Sequence, residues 1–469
     1  MIIPLKQVAN IHIILNEHWR YIKINYSISV FSLFQWNKHV LFFLSLSLLL
    51  SAADHRISQT SRKRHKEKRE LHQAELEPMS WWNGQTMTGD WDGRLRRLGQ
   101  MGITLDSTFA TDIVGNPVGG KTRGFAYAGS YGLSLNINFD RTGWKDLDLF
   151  SSAVWRTGTS LSQRKINNQF PVQQVFGSQT VKLNELYIRQ MFFNENMEIK
   201  AGRLDAGNDF LANGELYSRY VNNGFDGNPI SIFFNVPFTA YPNSTWGACL
   251  IFKPYKRLSM KYAVFNANSD IKKAKYHGVN FIFKSTNGVI WITEWCALVK
   301  QEKEDHGMPG NYKVGYFYLT GDERNFRGVK KSRDQCLYLL FDQMIYRPDA
   351  NSDRGLTPFV SLILAPKNRN LFPLFFNGGL VYKGLFKNRP DDYASFGYIY
   401  GKYSSDQAES QRGRGEELQN FETIYELNYW AQINKWFYIV PDFQIVVHPK
   451  GLKNPRAYVF GAQIGFDIW

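Results

Sequence analysis

The fold is decided by the end of the chain, Tyr458-Val-Phe-Gly-Ala-Gln-Ile-Gly-Phe-Asp-Ile-Trp469. Every even-numbered position from Tyr458 to Ile468 is apolar, whereas the odd-numbered positions include Gln463 and Asp467. Alternation with this period predicts a β-strand with one apolar face and one small or polar face. A soluble β-sandwich can use the same pattern. A chain that ends on such a strand also fits an outer-membrane β-barrel that closes on itself.

The same alternation recurs along the chain after Trp91. The apolar positions of four segments are expected to face outward and their polar positions inward: Leu133–Asp140, Leu183–Phe192, Glu422–Ala431 and Ile439–Val447. Glu426, Asp442 and Gln444 are therefore expected to face a wet interior. Turn residues separate such runs at Asp226–Pro229, Pro309–Asn311, Asn377–Gly379 and Pro449–Gly451. Alternation alone does not choose between a membrane barrel and a long soluble β-protein.

Composition and the N-terminal region favour the membrane barrel. Aromatic residues make up 16% of the chain, with 25 Tyr and 13 Trp, which suits the aromatic girdles of a barrel. The mean hydropathy of −0.36 is compatible with this, because only alternate residues of each strand face lipid. An aromatic-rich sugar-binding enzyme would have a similar composition.

The apolar run Val40–Leu50 follows Lys38 and His39 and precedes Ser51-Ala-Ala53, as in a secretory signal. The run is too short for a membrane-spanning helix. Residues 1–37 make the leader longer than the usual roughly 15–30 residues, so we expect a translation start placed too early or a non-standard start codon. We predict that residues 1–53 are absent from the mature protein and that residues 54–80 form a charged periplasmic tail.

The chain is basic, with a formal net charge of +15. Residues 81–469 retain a net charge of +10, from 45 Lys and Arg against 35 Asp and Glu. A basic lumen would attract anions or line a sugar path, and a basic outer surface would face anionic lipid headgroups. A nucleic-acid partner is disfavoured, because the signal directs the chain out of the cytoplasm.

One segment is predicted to be helical. Asp90 is a plausible N-cap, and Trp91, Leu95 and Leu98 follow at helical spacing before Gly99 and Gly102. Residues 81–103 are therefore expected to form a short helical segment that plugs or buttresses one mouth of the barrel, or simply packs against it. The barrel itself is assigned to residues 104–469.

The sequence contains no hydrolase, metalloprotease, phosphate-loop or dinucleotide motif, and it predicts neither enzymatic activity nor a cofactor. Cys249, Cys296 and Cys336 are far apart and lack the spacing of metal ligands or of a disulfide framework. Glutamate pairs such as Glu422 and Glu426 would serve a glycosidase only at a suitable separation, and carboxylates on a pore wall are the commoner explanation.

An ordered series of motifs resembles the carbohydrate-selective porins of the OprB family. The blocks are Gly89-Asp-Trp-Asp-Gly-Arg-Leu-Arg-Arg-Leu98, Leu183-Asn-Glu-Leu-Tyr187, Gly202-Arg203 with Asp209-Phe210, Tyr241-Pro-Asn-Ser-Thr-Trp-Gly-Ala248, Asn311–Gly315, Gly378–Gly384 and Pro441–Gln444. The resemblance covers roughly residues 81–469. Asp92 stands where the family often has glycine, and the charged tail has no counterpart in the family pattern.

The resemblance implies a monomeric antiparallel transmembrane barrel of roughly 16 strands in the bacterial outer membrane. It implies passive diffusion of glucose-like sugars past inward loops and a constriction of charged and aromatic side chains. The candidates for that constriction are Glu185, Arg189, Arg203 and Asp209, with Trp246 as an aromatic partner. The implied partners are outer-membrane lipid, small sugars and ions, and the barrel-assembly machinery.

Two other hypotheses remain open. A general or mildly anion-preferring pore would explain the basic balance. An outer-membrane enzyme or adhesin with a plugged barrel would also have strands with a polar inner face, but no solute would pass through it.

Overall fold

The computed structural model describes residue 82 and residues 84–469, except 213–217, 226, 269, 271–272, 285–286, 302–306 and 351. The predicted signal and charged tail lie outside the described residues. The described part is dominated by sixteen strands that form one closed barrel. They are β1 (Ile103–Val118), β2 (Gly124–Asn138), β3 (Leu147–Gly158), β4 (Thr180–Phe192), β5 (Met197–Leu204), β6 (Thr245–Tyr255), β7 (Leu258–Asn266), β8 (Val289–Val299), β9 (Gly310–Arg324), β10 (Lys330–Gln343), β11 (Gly355–Leu364), β12 (Leu374–Lys383), β13 (Tyr393–Lys402), β14 (Phe421–Asn434), β15 (Phe437–Val447) and β16 (Ala457–Asp467).

The barrel closes because its first and last strands pair. Each strand pairs antiparallel with its sequence neighbours, and β1 pairs with β16 from Thr108 opposite Asp467 towards Val118 opposite Tyr458. Closure leaves no unpaired edge, which a barrel in lipid requires because no water is available to the edge groups. The predicted fold class and the closing role of the final strand are confirmed.

The described helices are short: α1 (Arg94–Gln100), α2 (Ala206–Asp209), α3 (Ser231–Asn235) and α4 (Ser405–Gly413). In the described part of the chain, each helix is too short or too polar to cross a membrane. The predicted N-terminal helix begins later than expected, after Gly93 in the left-handed region at φ 82°, and none of its residues is buried. Asp90 nevertheless contacts the first turn of this helix, because its carboxylate accepts a hydrogen bond from the Arg96 backbone N–H at 2.9 Å.

The segment before α1 is attached to the final strand. The N–H groups of Met87 and Thr88 donate to the carbonyls of Asp467 and Ile468 at 2.8 and 2.9 Å. The rings of Trp91 and Trp469 lie 5.3 Å apart. The terminal tryptophan thus joins the N-terminal segment to the rim where β1 begins and β16 ends, called here the terminal end.

The two ends of the barrel differ in their connections. The longest connection at the terminal end spans residues 344–354. The opposite end, called the loop end, carries the four longest connections of the barrel, which span residues 159–179, 205–244, 267–288 and 403–420. The alternation of faces follows the prediction on β14–β16. Leu427 and Phe460, opposite Phe443 on β15, are 57% and 52% exposed and point outward, whereas Glu426 and Gln444 are buried inside.

Two loops fold from the loop end into the lumen. The first inner loop comprises residues 159–179, and the second comprises the described residues 205–212, 218–225 and 227–244. Their buried apolar side chains pack against apolar side chains on the inner wall: Phe170, Phe210, Tyr220, Phe225 and Phe238 from the loops, and Phe265, Ile292, Phe317, Phe359, Phe375 and Ile399 from the wall. Burying a large apolar side chain contributes about 1.5–3 kcal/mol, so this cluster fixes the loops in place. Much of the lumen is therefore filled on the β7–β13 side.

Glycines on the wall make room for the second inner loop. A Cβ on Gly379 would lie 2.5 Å from the hydroxyl oxygen of Tyr220, and one on Gly397 would lie 2.5 Å from the Phe225 ring. The prediction of a turn at Asn377–Gly379 is wrong, because these residues lie within β12. Their glycines serve a close approach of another segment rather than a change of chain direction.

A third loop segment lies outside the barrel. Residues 273–284, called here the outer flap, cover the loop end of β4, whose neighbour β5 stops at Leu204 where the chain turns inward. The Leu183 N–H donates to the His277 carbonyl at 2.9 Å. A Cβ on Gly278, which has φ +74°, would lie 2.0 Å from the Leu183 carbonyl oxygen. The outer flap thus covers a strand edge that the inward turn leaves without its neighbour.

Candidate solute path through the barrel

Inward-facing carboxylates of the wall hold the inner loops by accepting backbone N–H groups. Glu422 accepts from Gln169 and Phe170 of the first inner loop at 2.8 Å. Glu426 accepts from Val221 and Asn222 of the second at 2.6 and 3.1 Å. These two carboxylates thus anchor the inner loops to the wall.

The other predicted lumen-facing residues take part in the same anchoring. Gln444 accepts from the Asn222 side chain at 2.9 Å and donates to the Val172 carbonyl at 3.1 Å. It also donates to Asp442 at 2.7 Å, and both side chains are buried. The structure places Glu426, Asp442 and Gln444 beneath the two inner loops, out of reach of solute.

Glu185 and Asp209 also support the second inner loop. Glu185 accepts from the Asp205 N–H at 2.9 Å and from the Asn208 side chain at 3.0 Å. Asp209 accepts from the Lys200 ammonium at 2.7 Å. Burial, together with the neighbouring Glu185 carboxylate, raises the pKa of Asp205 well above its usual range. These acidic groups fix the point at which the chain leaves β5 and enters the lumen.

The remaining sequence-predicted candidates lie apart from this group. Arg189 faces inward near the terminal end and pairs with Asp148 at 2.6 Å. Arg203 pairs in register with Leu186 and Trp246, on the face that points out of the barrel. The expectation of inward parity for Arg203 is therefore wrong, because Gly202 rather than Arg203 shares a face with Tyr187 on the inner wall. The outer flap covers Arg203, which leaves it only 2% exposed.

A cavity of about 380 Å³ remains between the inner loops and the wall formed by β1–β3 and β14–β16. Its polar lining includes hydroxyl and amide groups and two side chains of opposite charge, Asp106 and Arg156. The side chains that line it are Asp106, Thr108, Ser130, Ser134, Ser152, Arg156, Gln174, Ser218, Tyr241, Trp430, Tyr438 and Gln463, together with smaller apolar contributions. The lining thus combines hydrogen-bonding groups with aromatic rings.

Aromatic rings and guanidinium groups form pairs at this cavity. The rings of Trp430 and Tyr438 stack with centroids 3.8 Å apart. The guanidinium of Arg219 lies 4.6 Å from the Trp430 centroid and 4.0 Å from that of Tyr393. A cation over an aromatic face is attracted by the ring quadrupole, so Arg219 ties the second inner loop to this wall.

A second such pair lies across the cavity. The Arg156 guanidinium is 4.9 Å from the Tyr241 centroid, and its Nη1 donates to the Val175 carbonyl at 2.9 Å. Arg156 belongs to β3, Val175 to the first inner loop and Tyr241 to the second. One side chain therefore joins the wall to both loops at the edge of the open space.

Sequence reasoning missed Arg156, Arg219, Trp430 and Tyr438. Parity along β3, β14 and β15 places Arg156, Trp430 and Tyr438 on the inner face with Val154, Asn428 and Asp442. That signal was available. Their special position was not, because it depends on which part of the wall the inner loops leave uncovered.

A separate cavity of about 300 Å³ opens on the β6–β9 side and is basic. Lys253, Lys256, Lys261 and Lys313 line it. Lys261 is 3.3 Å from the Glu294 carboxylate. The described residues contain no group of three or more His, Cys, Asp and Glu side chains that could hold a metal ion.

A closed antiparallel barrel with inner loops that leave a polar and aromatic space is the architecture of a porin-type channel. Residues 122–468 match the model of the carbohydrate-selective porin, OprB family, and the chain belongs to that family. It is 24% identical to Porin B of Pseudomonas aeruginosa over 426 residues, which span 81% of this chain and 91% of that protein. It is 25% identical to the putative porin QuiX of Acinetobacter baylyi over 415 residues, which span 82% and 93% of the two proteins.

A solved structure has the same fold. The high-pH structure of Pseudomonas putida OprB matches with a TM-score of 0.76 at 23% identity, and the match covers 83% of this chain and 100% of that one. The low-pH structure of the same protein matches with a TM-score of 0.55.

Proposed function

We propose that this carbohydrate-selective porin lets glucose-like sugars diffuse passively across the bacterial outer membrane, past the cavity beside Arg156 and Trp430. The observation that carries the proposal is the lining of that cavity, in which aromatic rings and the guanidinium group of Arg156 stand among hydroxyl and amide side chains. Hydroxyl-rich, uncharged solutes offer both C–H faces and hydrogen-bonding groups, so they match both parts of this lining.

The chemistry of passage follows from the lining. Arg156 supplies donors to sugar hydroxyls, Asp106 and Ser134 supply acceptors, and the stacked Trp430 and Tyr438 rings offer an apolar surface to a pyranose ring. A sugar hydroxyl that enters the cavity exchanges a hydrogen bond to water for one to the protein. The net free energy of this exchange is small, so the solute can both enter and leave. Passage down a gradient needs no catalytic group, and we propose no enzymatic role.

The residues expected at the constriction take other parts in this proposal. Glu185 and Asp209 shape the path indirectly, because they hold the second inner loop that narrows the lumen. Arg189 lies below it, towards the terminal end. Arg203 and Trp246 face outward and are not part of the path.

The outward faces support the location. Large apolar side chains such as Tyr127, Trp155, Ile188, Trp291 and Phe396 are exposed on the outer wall, as lipid contact requires. Outer-membrane barrels have short periplasmic turns and longer extracellular loops, and the longest connections of this barrel lie at the loop end. We therefore infer that the loop end faces the cell exterior and the terminal end the periplasm, and that outer-membrane lipid and the barrel-assembly machinery are partners. The terminal strand is the element offered to that machinery.

The test is uptake into liposomes that contain the purified full-length barrel. Glucose and related monosaccharides should enter faster than into protein-free liposomes, and larger saccharides should reduce the single-channel current in a planar bilayer. A folded barrel without conductance would contradict the proposal. Impermeability to every small solute tried would favour a plugged barrel instead.

The lysine-lined cavity supports a second candidate, a mildly anion-preferring pore. Four ammonium groups on one wall of a water-filled lumen would raise the local anion concentration. Reversal potentials in a salt gradient measure this preference, and the variant K253Q/K313Q should reduce it. Anion preference without current block by saccharides would favour this candidate over the sugar path.

A further inference from the structure

The outer flap is attached to the outside of the barrel wall. The Trp246 indole N–H donates to the Phe281 carbonyl at 2.8 Å, and Arg203 donates to the Asn280 carbonyl at 2.5 Å. Asn266 on the outward face of β7 donates to the Lys284 carbonyl at 2.9 Å. These three wall residues point away from the lumen, so the flap cannot contribute to the solute path.

The flap lies at the loop-end limit of the apolar outer surface. It covers β4 near Leu183, while the outward-facing Val181 and Ile188 of the same strand are 56% and 54% exposed. An apolar band of roughly 25 Å corresponds to about eleven residues of a tilted strand, close to the length of β4. The flap is therefore level with the outer leaflet if the loop end faces the cell exterior.

The exposed surface of the flap is both apolar and basic. Val279, Ile282 and Phe283 are 57%, 62% and 57% exposed. Lys273 and Lys284 both form ion pairs with Asp270, and their side chains remain 55% and 38% exposed. Lys275 is also exposed, beside the Tyr276 ring at 5.0 Å. The described part of the segment thus has more positive than negative charge next to an uncovered apolar strip.

We propose that the outer flap binds a phosphorylated, acylated glycolipid of the outer leaflet, a lipid A headgroup with its chains. This rests on the outer-membrane orientation proposed above. The apolar strip would contact acyl chains, and the lysines would bind phosphate groups, because ammonium groups beside a membrane surface attract anionic headgroups. A second copy of the chain fits less well, since a symmetric contact would bring two basic flaps together.

The proposal is tested with the full-length barrel, freed of copurifying lipid in detergent and titrated with purified lipopolysaccharide. The variant K273Q/K275Q/K284Q removes three positive charges from the flap and should weaken binding at least 10-fold, at about 5-fold per lysine before allowance for Asp270. The matched control is K145Q/K387Q/K435Q. It removes three exposed lysines from turns at the terminal end, near exposed Trp144 and Phe386, and should bind as the unmodified barrel does.

The outcomes separate the sources of binding. Dephosphorylated lipid A should bind more weakly than the phosphorylated form, and the variant I282S/F283S should weaken both. Equal binding by the flap variant and the unmodified barrel would overturn the proposal, as would an equal loss in the control. An oligomer that dissociates only in the flap variants would assign the flap to a second copy. Sugar uptake into phospholipid liposomes is measured on the same variants, so failure of the channel function and failure of glycolipid binding are distinguishable.

Discussion

The guanidinium of Arg219 lies 4.6 Å from the centroid of the Trp430 ring, so the second inner loop is held against the barrel wall by a cation–aromatic contact. Trp430 also stacks on Tyr438, and both rings line the remaining cavity. The same aromatic pair therefore positions a loop and lines the proposed path. This double use determines what a substitution there should do.

We expect Trp430→Ala to weaken saccharide binding in the channel about 5-fold, since loss of an aromatic contact costs about 1 kcal/mol. Concentration-dependent block of the single-channel current by a saccharide measures this change. Trp291→Ala, on the outward face of β8, removes an equal side chain away from the lumen and should leave the block unchanged. Equal losses in the two variants would indicate a general effect on the barrel.

Arg156→Gln should shift the reversal potential towards cation preference and weaken saccharide block. The substitution removes the positive charge at the cavity and the contact between wall and loops, while Asp106 remains on the same lining. The comparison variant is Arg189→Gln. It removes the same charge near the terminal end, where the Arg189 guanidinium is paired with the Asp148 carboxylate. An unchanged reversal potential for Arg156→Gln would show that this residue does not face the permeating ions.

Glu426→Gln should destabilise the second inner loop by about 1–3 kcal/mol. Glutamine has one acceptor oxygen in place of two, so the N–H of either Val221 or Asn222 loses its acceptor. A loosened loop should give larger and noisier single-channel currents and a lower unfolding temperature. Glu416→Gln, an exposed substitution in the connection between β13 and β14, serves as the control. Unchanged current noise in the Glu426 variant would show that this anchor is dispensable.

Gly278→Ala should detach the outer flap, because a Cβ would lie 2.0 Å from the Leu183 carbonyl oxygen in addition to the strain at φ +74°. Gly328→Ala is the matched control, since Gly328 has φ +78° and open space around its Cβ position. Positive φ alone costs about 1–2 kcal/mol in both variants. The unfolding temperature and proteolysis of the flap should therefore change more for Gly278. Equal changes in the two variants would mean that only backbone strain matters.

The alternation of apolar and polar residues along a strand can be recognised in the sequence wherever the inner face of the barrel is polar. Glu426 and Leu427 could be assigned to opposite faces because lipid and water impose opposite requirements on neighbouring residues of one strand. The β7–β13 side was harder to read, since Phe317, Phe359 and Ile399 are apolar and face inward. Those side chains avoid water only because the inner loops cover them.

The sequence also misled at particular positions. Arg203 was expected to face the lumen, but the strand register places it outward, and no single-strand pattern shows that a flap from a distant part of the chain will cover it. Asn377–Gly379 has the composition of a turn, yet it lies in a strand whose glycines admit Tyr220 from the second inner loop. In both cases the partner comes from a segment far away in sequence.

By itself, the sequence determined that the chain is a membrane barrel of the carbohydrate-selective porin type, because alternation, a terminal strand and family motifs are local properties. Only the tertiary structure decided which wall the inner loops cover and which they leave open. That choice depends on packing between segments far apart in the sequence, such as Asn222 and Gln444, which are separated by 222 positions. The proposed path beside Trp430 results from that choice.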